Sequence, residues 1–250
     1  MILGTWLRRL VAVCMISGLA ACASAPEGEG FAAQDPYEGT NRNIHAFNVA
    51  LDKNVLRPAA KAYDVVAYGP IQLVLGNGLN HLDLPVDFVN YLLQGEMRMA
   101  GRVLGRFTVN TVMGAGGLLD PATELGLPRE ETDFGITLGK YGVGGGPFLM
   151  LPLLGPSNPR DLAGFVVDTA FRPTTYLTFA NSAQISNVVG PSLTAVDRVD
   201  TRNANADLID EILYEAPDSY VTLRSFYLQR REAQITGGTD EALPDIFDEE

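Results

Sequence analysis

An all-α fold is what this 250-residue chain predicts. Apolar residues recur three and four positions apart through most of its length, the spacing of one helix face. Prolines and glycines sit at the ends of those periodic segments, where helices start and stop. Alternation of apolar and polar residues, the mark of a half-buried strand, is rare.

The first 34 residues are of a different kind. Residues 1–21 carry Arg8 and Arg9 with no acid, then an apolar run from Leu10 to Leu19 and small residues, which together read as a secretion signal. The run is too short for a bilayer span, which needs about 20 residues. Leu19-Ala20-Ala21-Cys22 has the pattern of a bacterial lipobox, so Cys22 is the expected acylation site and first mature residue. Each acyl methylene contributes about 0.8 kcal/mol to membrane binding, and several chains make a stable anchor where one does not. Ala23, not Asp, follows the cysteine, which points to the outer membrane. Residues 22–34 then read as a tether, small and without apolar period; its twelve residues after Cys22 reach about 40 Å when extended.

The remaining length fits one domain of roughly 200 residues, 35–235. Its first helix is marked by Ile44, Phe47, Leu51 and Val55, ended or kinked at Arg57-Pro58. Residues 65–82 carry no full charge. Pro85 suits a first helical position, and Val86, Val89, Leu93, Met97, Ala100, Leu104 and Phe107 continue one face from it, with Asp87 at the positive end of the helix dipole. Arg98, Arg102 and Arg106 form a stripe beside that face, suited to phosphate headgroups or to solvent. Residues 109–119 and 142–158 are again uncharged, with Phe148-Leu-Met-Leu-Pro-Leu-Leu154 inside the second. Gly, Pro or Asn interrupts each uncharged stretch, so none is a spanning helix; buried core and interfacial insertion both remain open. Leu208, Ile209, Ile212 and Leu213 mark another helix, interrupted at Pro217, resumed by Tyr220, Leu223 and Tyr227 and stopped at Gly237-Gly238. Residues 236–250 read as an acidic tail with six acids among its last eleven positions.

Charge and motifs exclude several function classes. Removing Arg8 and Arg9 with residues 1–21 leaves 16 of the 18 basic residues against 30 acids, a formal charge of −14, which disfavours nucleic acid. The only cysteines are Cys14 and Cys22, so the domain has neither disulfides nor thiolate metal sites. Gly142-Val-Gly-Gly-Gly146 is not a phosphate loop: no strand precedes it, no Lys-Ser/Thr follows, and Pro147 lacks an amide donor. It reads as a flexible turn presenting Phe148. No Gly-x-Ser-x-Gly elbow occurs, and the only histidines, His45 and His81, lie in no metal or catalytic spacing. Asp120, Asp133, Asp161 and Asp168 read as caps and ion-pair partners. No catalytic residue, metal or cofactor is expected.

Asp35-Pro-Tyr-Glu-Gly-Thr-Asn-Arg42, Val89-Asn-Tyr-Leu-Leu-Gln-Gly95, Arg106-Phe-Thr-Val-Asn110 and Gly114-Ala-Gly-Gly-Leu-Leu-Asp120 form an ordered series of phrases. Asp133-Phe-Gly-Ile-Thr-Leu-Gly139, Tyr141-Gly-Val-Gly144, Leu151-Pro-Leu-Leu-Gly-Pro156 and Tyr227-Leu-Gln-Arg230 extend it. In this series, from about Asp35 to Arg231, the chain resembles the MlaA/VacJ family. Departures are Phe148, where Tyr is common, and the tail beyond Gly238. The resemblance implies an outer-membrane lipoprotein that maintains lipid asymmetry: a helical ring in the inner leaflet with a central amphipathic channel. Phospholipids strayed into the outer leaflet would pass through it to a periplasmic carrier serving an inner-membrane ATP-driven complex, with porin trimers as neighbours. A channel of this kind needs a polar route for the headgroup, because a phosphate in a dry interior is costly. Within that picture Gly142, Gly144, Gly145, Gly146 and Phe148 are candidates for a gating loop, and Arg98, Arg102 and Arg106 for headgroup contact. A porin-associated scaffold without transport and a periplasmic lipid or peptidoglycan enzyme are the alternatives.

Overall fold

The computed structural model describes residues 35–67, 69–173 and 183–237. The expected signal peptide, Cys22, the expected tether to residue 34 and the expected acidic tail from residue 238 lie outside the described residues. Helix α1 spans Glu38–Leu51 and runs without a break through a wide π-type turn, Asp52–Leu56, into α2, Arg57–Val66. Here Arg57 N–H donates to the Asp52 carbonyl five residues back. Pro58, which lacks the amide a regular helix interior needs, therefore sits at the start of α2, where that amide has no partner to lose. The expected kink is a change of helical register.

Helix α3, Pro70–Leu93, takes in most of the uncharged stretch, and Pro85 lies inside it, not at its start. The periodic face read from Val86 to Phe107 also belongs to two helices. Gln94, Gly95 at φ 75° and Glu96 reverse the chain before α4, Met97–Val112, because Gly95 takes the left-handed conformation that ends a helix. Helix α4 runs back along α3, burying Leu84 and Tyr91 against Ala100 and Val103, with Phe88 and Met99 beside them. A short α5, Pro121–Glu124, is capped by Asp120, whose carboxylate accepts Thr123 N–H. Asp133 caps α6, Phe134–Lys140, in the same way through Ile136 N–H.

A small antiparallel hairpin follows, β1 Leu149–Leu151 against β2 Gly155–Ser157, with Met150 opposite Pro156. Asn158 caps α7, Pro159–Phe171. Helices α8, Ala183–Ala204, and α9, Ala206–Asp210, lead into a second π-type turn, Glu211–Glu215. Ala216 is extended before Pro217, as a residue preceding proline prefers. Asp218 then caps α10, Ser219–Thr236, which stops at Gly237 with φ 78°. A second apolar cluster joins the hairpin to α1 and α10: Phe148, Met150 and Tyr220, with Ile44, Leu223 and Tyr227 packed on them. The fold is mostly helical, as the periodicity predicts.

Polar and apolar residues are distributed unusually. Among the described residues, fourteen polar or charged ones are buried against thirteen hydrophobic ones, although charged residues are almost never fully buried unless paired. Meanwhile Val65, Val66, Leu73, Val112, Met113 and Val166 are all more than 60% exposed. Among the described residues no helix is long and apolar enough to cross a membrane.

Candidate functional site

Several polar clusters lie in the interior of the described residues. In the first, Arg202 of α8 makes a double bond-pair to Asp52 at 2.8 and 3.1 Å and also reaches Asp210. Tyr214 donates to Asp52 at 2.7 Å, and Arg57 pairs with Asp210 at 2.5 Å. In the second, Arg231 of α10 pairs with Asp133 at 2.7 Å and Asp161 at 2.8 Å, while Tyr227 and Asn158 donate to Asp161. Burial alone would raise the Asp161 carboxyl; the hydrogen bond and charge of Arg231 hold it below the ordinary range. In the third, Asp168 accepts from Asn90 and from Phe134 N–H, and Thr137 donates to Asn90. Of the aspartates read as caps and ion-pair partners, Asp120, Asp133 and Asp161 fill those roles, whereas Asp168 accepts from a side-chain amide and a backbone amide instead.

The three arginines of α4 do not share one surface. Arg98 is exposed, Arg102 pairs with Glu130 at 2.9 Å, and Arg106 is buried. Arg106 donates to Thr123 Oγ1, the Leu127 carbonyl and Asp120, and Asn110 donates to Asp120 as well. Residues eight apart on a helix are rotated by about 80°, enough to carry Arg106 from the exposed side into the α3–α4 seam. The expected stripe is therefore corrected to one exposed arginine, one paired at the surface and one locked inside.

Around the glycine-rich turn, Gly142 and Gly146 take φ of 82° and 75°. Gly144 faces open space, and a Cβ on Gly145 would touch the Asn158 side chain. Arg160 donates to the Val143 carbonyl at 3.4 Å. Phe148 is not presented by this turn: it is 2% exposed, edge-on to Tyr220 and Tyr227, and its carbonyl accepts from Asn41 at 3.0 Å. An aromatic ring next to an apolar strand gains more by packing under α10 than by facing water. Phe148 thus anchors the far end of the turn.

Sequence reading missed two features. Asp87 is buried in α3, its Oδ1 accepting Thr132 N–H and its Oδ2 without a partner. Burial pushes its carboxyl up to about 7, against the opposing pull of the Thr132 amide and Arg129, with Asp83 and Glu131 adding repulsion. An unfolded aspartate loses its proton near pH 4, so the folded chain holds an extra proton between about pH 4 and 7, and stability falls as pH rises through that window. Asp87→Asn is expected to stabilise the protein at pH 8, by up to about 4 kcal/mol for a carboxyl carried from near 4 to near 7, and by nothing at pH 4. Thermal melts at both pH values check this; equal shifts would mean Asp87 does not titrate so. The second missed feature is an apolar cavity of about 190 Å³ between α1, the hairpin and the turn after α9. His45 lies at its edge, bonded through Nε2 to Ser219 Oγ at 2.9 Å, with its basicity lowered by burial.

No group of three or more His, Cys, Asp or Glu able to hold a metal occurs among the described residues. The sequence profile described as MlaA lipoprotein matches residues 33–234. The chain belongs to the MlaA lipoprotein family. A MlaA relative from Haemophilus influenzae, named intermembrane phospholipid transport system lipoprotein MlaA, is 34% identical over 94% of this chain and 95% of its own. An uncharacterized protein of Rickettsia felis is 35% identical over 80% of this chain and 78% of its own. A solved structure, from work on the structural basis for maintenance of bacterial outer membrane lipid asymmetry, superposes with a TM-score of 0.70 at 36% identity. It covers 80% of this chain and 98% of that one, so the two share one fold over most of this chain.

Proposed function

We propose that this chain is the outer-membrane lipoprotein of an intermembrane phospholipid transport system. It takes mislocalised phospholipids from the outer leaflet and passes them to a periplasmic carrier. Kinship with a phospholipid transport lipoprotein supports the reading, and one observation carries its physical side: polar groups are gathered inside while large aliphatic side chains face out. In water such a surface is a liability; against lipid tails it is matched. Val65, Val66, Leu73, Val112 and Met113 would seat a ring-like domain in the inner leaflet, held there by acyl chains on Cys22. The buried polar side chains would line or brace an amphipathic channel, giving a headgroup an alternative to hydrocarbon. Arg98 is the exposed α4 cation left to meet phosphate at the membrane surface, and porin trimers are the proposed neighbours. The Gly142–Gly146 turn would gate the route. Gly144 is the residue to stiffen, because Gly146 sits at φ 75°, which proline cannot adopt.

Deleting the gene is expected to raise outer-leaflet phospholipid, with wild type restoring it and Cys22→Ala failing to. In the same complementation, Gly144→Pro is expected to change leaflet phospholipid at unchanged protein abundance. If deletion leaves the leaflet unchanged, transport is refuted; if purified protein releases fatty acid from labelled phospholipid, it is an enzyme.

A further inference from the structure

We propose that the cavity walled by α1, the hairpin and the turn after α9 is a site for one hydrocarbon tail of a phospholipid. The inference rests on the phospholipid-transport reading and assigns a place within it. The walls are aliphatic, formed by Val49, Leu56, Met150, Ile209, Ile212 and Leu213. The polar residues at its margin are already engaged. Asp52 is held by Arg202 and Tyr214, His45 by Ser219, and Asn48 by the hairpin backbone. With these groups engaged within the protein and the rest of the lining apolar, the space favours hydrocarbon over a headgroup.

Size agrees. An apolar cavity of roughly 150 Å³ lined by Leu, Ile and Phe stays dry and admits benzene; this one, at about 190 Å³, has room for a run of methylenes. Its rim is built to stay open. Leu153 and Leu154, at the hairpin tip, line the cavity yet are 65% and 43% exposed. Leu153 is held at φ 67°, a conformation that a side chain with a Cβ adopts reluctantly and that recurs at ligand clamps. Asn48 fixes the tip from both sides, donating to the Leu151 carbonyl and accepting Leu153 N–H, each at 2.9 Å. Leu153 is thus pinned at the opening, with Leu154 beside it.

The protein's own acyl chains are the competing source. The tether from Cys22 reaches about 40 Å, and it ends at Asp35, which accepts from Asn41; Asn41 in turn accepts Met150 N–H at the cavity wall. Anchoring, however, needs several chains in the bilayer at once, so a tail of the transported lipid is the occupant.

The test uses the full acylated protein in neutral detergent with a phospholipid carrying a diazirine at the methyl end of one tail. Irradiation and peptide mapping are expected to place adducts on Met150, Ile212 and Leu213. Val49→Phe, which fills the cavity, is expected to reduce them at least fivefold while the melting temperature holds or rises; Val112→Phe, on an exposed face, leaves them unchanged. Adducts confined to outward residues such as Val65 and Val166, or unaffected by Val49→Phe, overturn the site. So do adducts that appear only in Cys22→Ala, which would make the protein's own chain the occupant. Should Val49→Phe protein, without cavity adducts, still restore leaflet composition in the deletion strain, the site falls and the transport function stands. If the deletion itself changes nothing, the function falls.

Discussion

Arg202→Met is expected to destabilise the protein by about 3–5 kcal/mol, the range for removing one partner of a buried ion pair. Arg202 and Asp52 side chains are 5% and 7% exposed, and the guanidinium is the neutralising charge for both Asp52 and Asp210. Without it Asp52 is left buried with Tyr214 as its remaining side-chain partner, while Asp210, 26% exposed, keeps Arg57. At this chain length each kcal/mol moves the midpoint by about 2–4 °C, so the melt should drop by roughly 10 °C. Arg198→Met, on the exposed side of the same helix, should shift it by less than about 0.5 kcal/mol. Combining Arg202→Met with Asp52→Asn should recover part of the loss, since the penalty lies in the unpaired charge. An undiminished melt for Arg202→Met would show that water already reaches the cluster.

Gly164→Ala is the second large effect. A Cβ there would stand 2.4 Å from Gly135 N and 2.8 Å from Gly135 Cα. The obstacle is backbone, so α6 and α7 must move apart; overpacking of this kind costs about 1–3 kcal/mol. The damage should spread, because Asp133 before α6 and Asp161 on α7 are both held by Arg231. Gly101→Ala makes the opposite case. It lies within α4 with nothing near its Cβ position, and replacing a helical glycine there should stabilise by about 0.5–1 kcal/mol. Paired urea titrations of the two variants check both signs. Equal, small shifts would mean that the α6–α7 crossing is looser than the glycine contact requires.

What was legible in the sequence was local. Pro217 and Gly237 mark the ends they were expected to mark, and Asp120 and Asp133 cap helices, because a cap needs only its own neighbours. Pro85 misled for the same reason: its start signal is genuine, but the apolar residues before it supply a longer helix that absorbs the proline. The hairpin escaped notice because three-residue strands are too short to show alternation. Arg106 looked like surface because its spacing carries the face but not what packs on that face. The Asp52–Arg202 pair joins positions 150 residues apart, and the cavity gathers α1, the hairpin and α9. No periodicity within one segment reports such meetings.

The two π-type turns, Asp52–Leu56 and Glu211–Glu215, carry a longer consequence. Each lengthens one helical loop by a residue, and each delivers a side chain to the same ion cluster, Asp52 from one and Tyr214 from the other. Removing the surplus residue from either would swing everything downstream through about 100° and strand the carboxylate or the phenol. The two lengths are thus yoked, and through family descent a deletion in one segment should be tolerated only alongside a compensating change in the other.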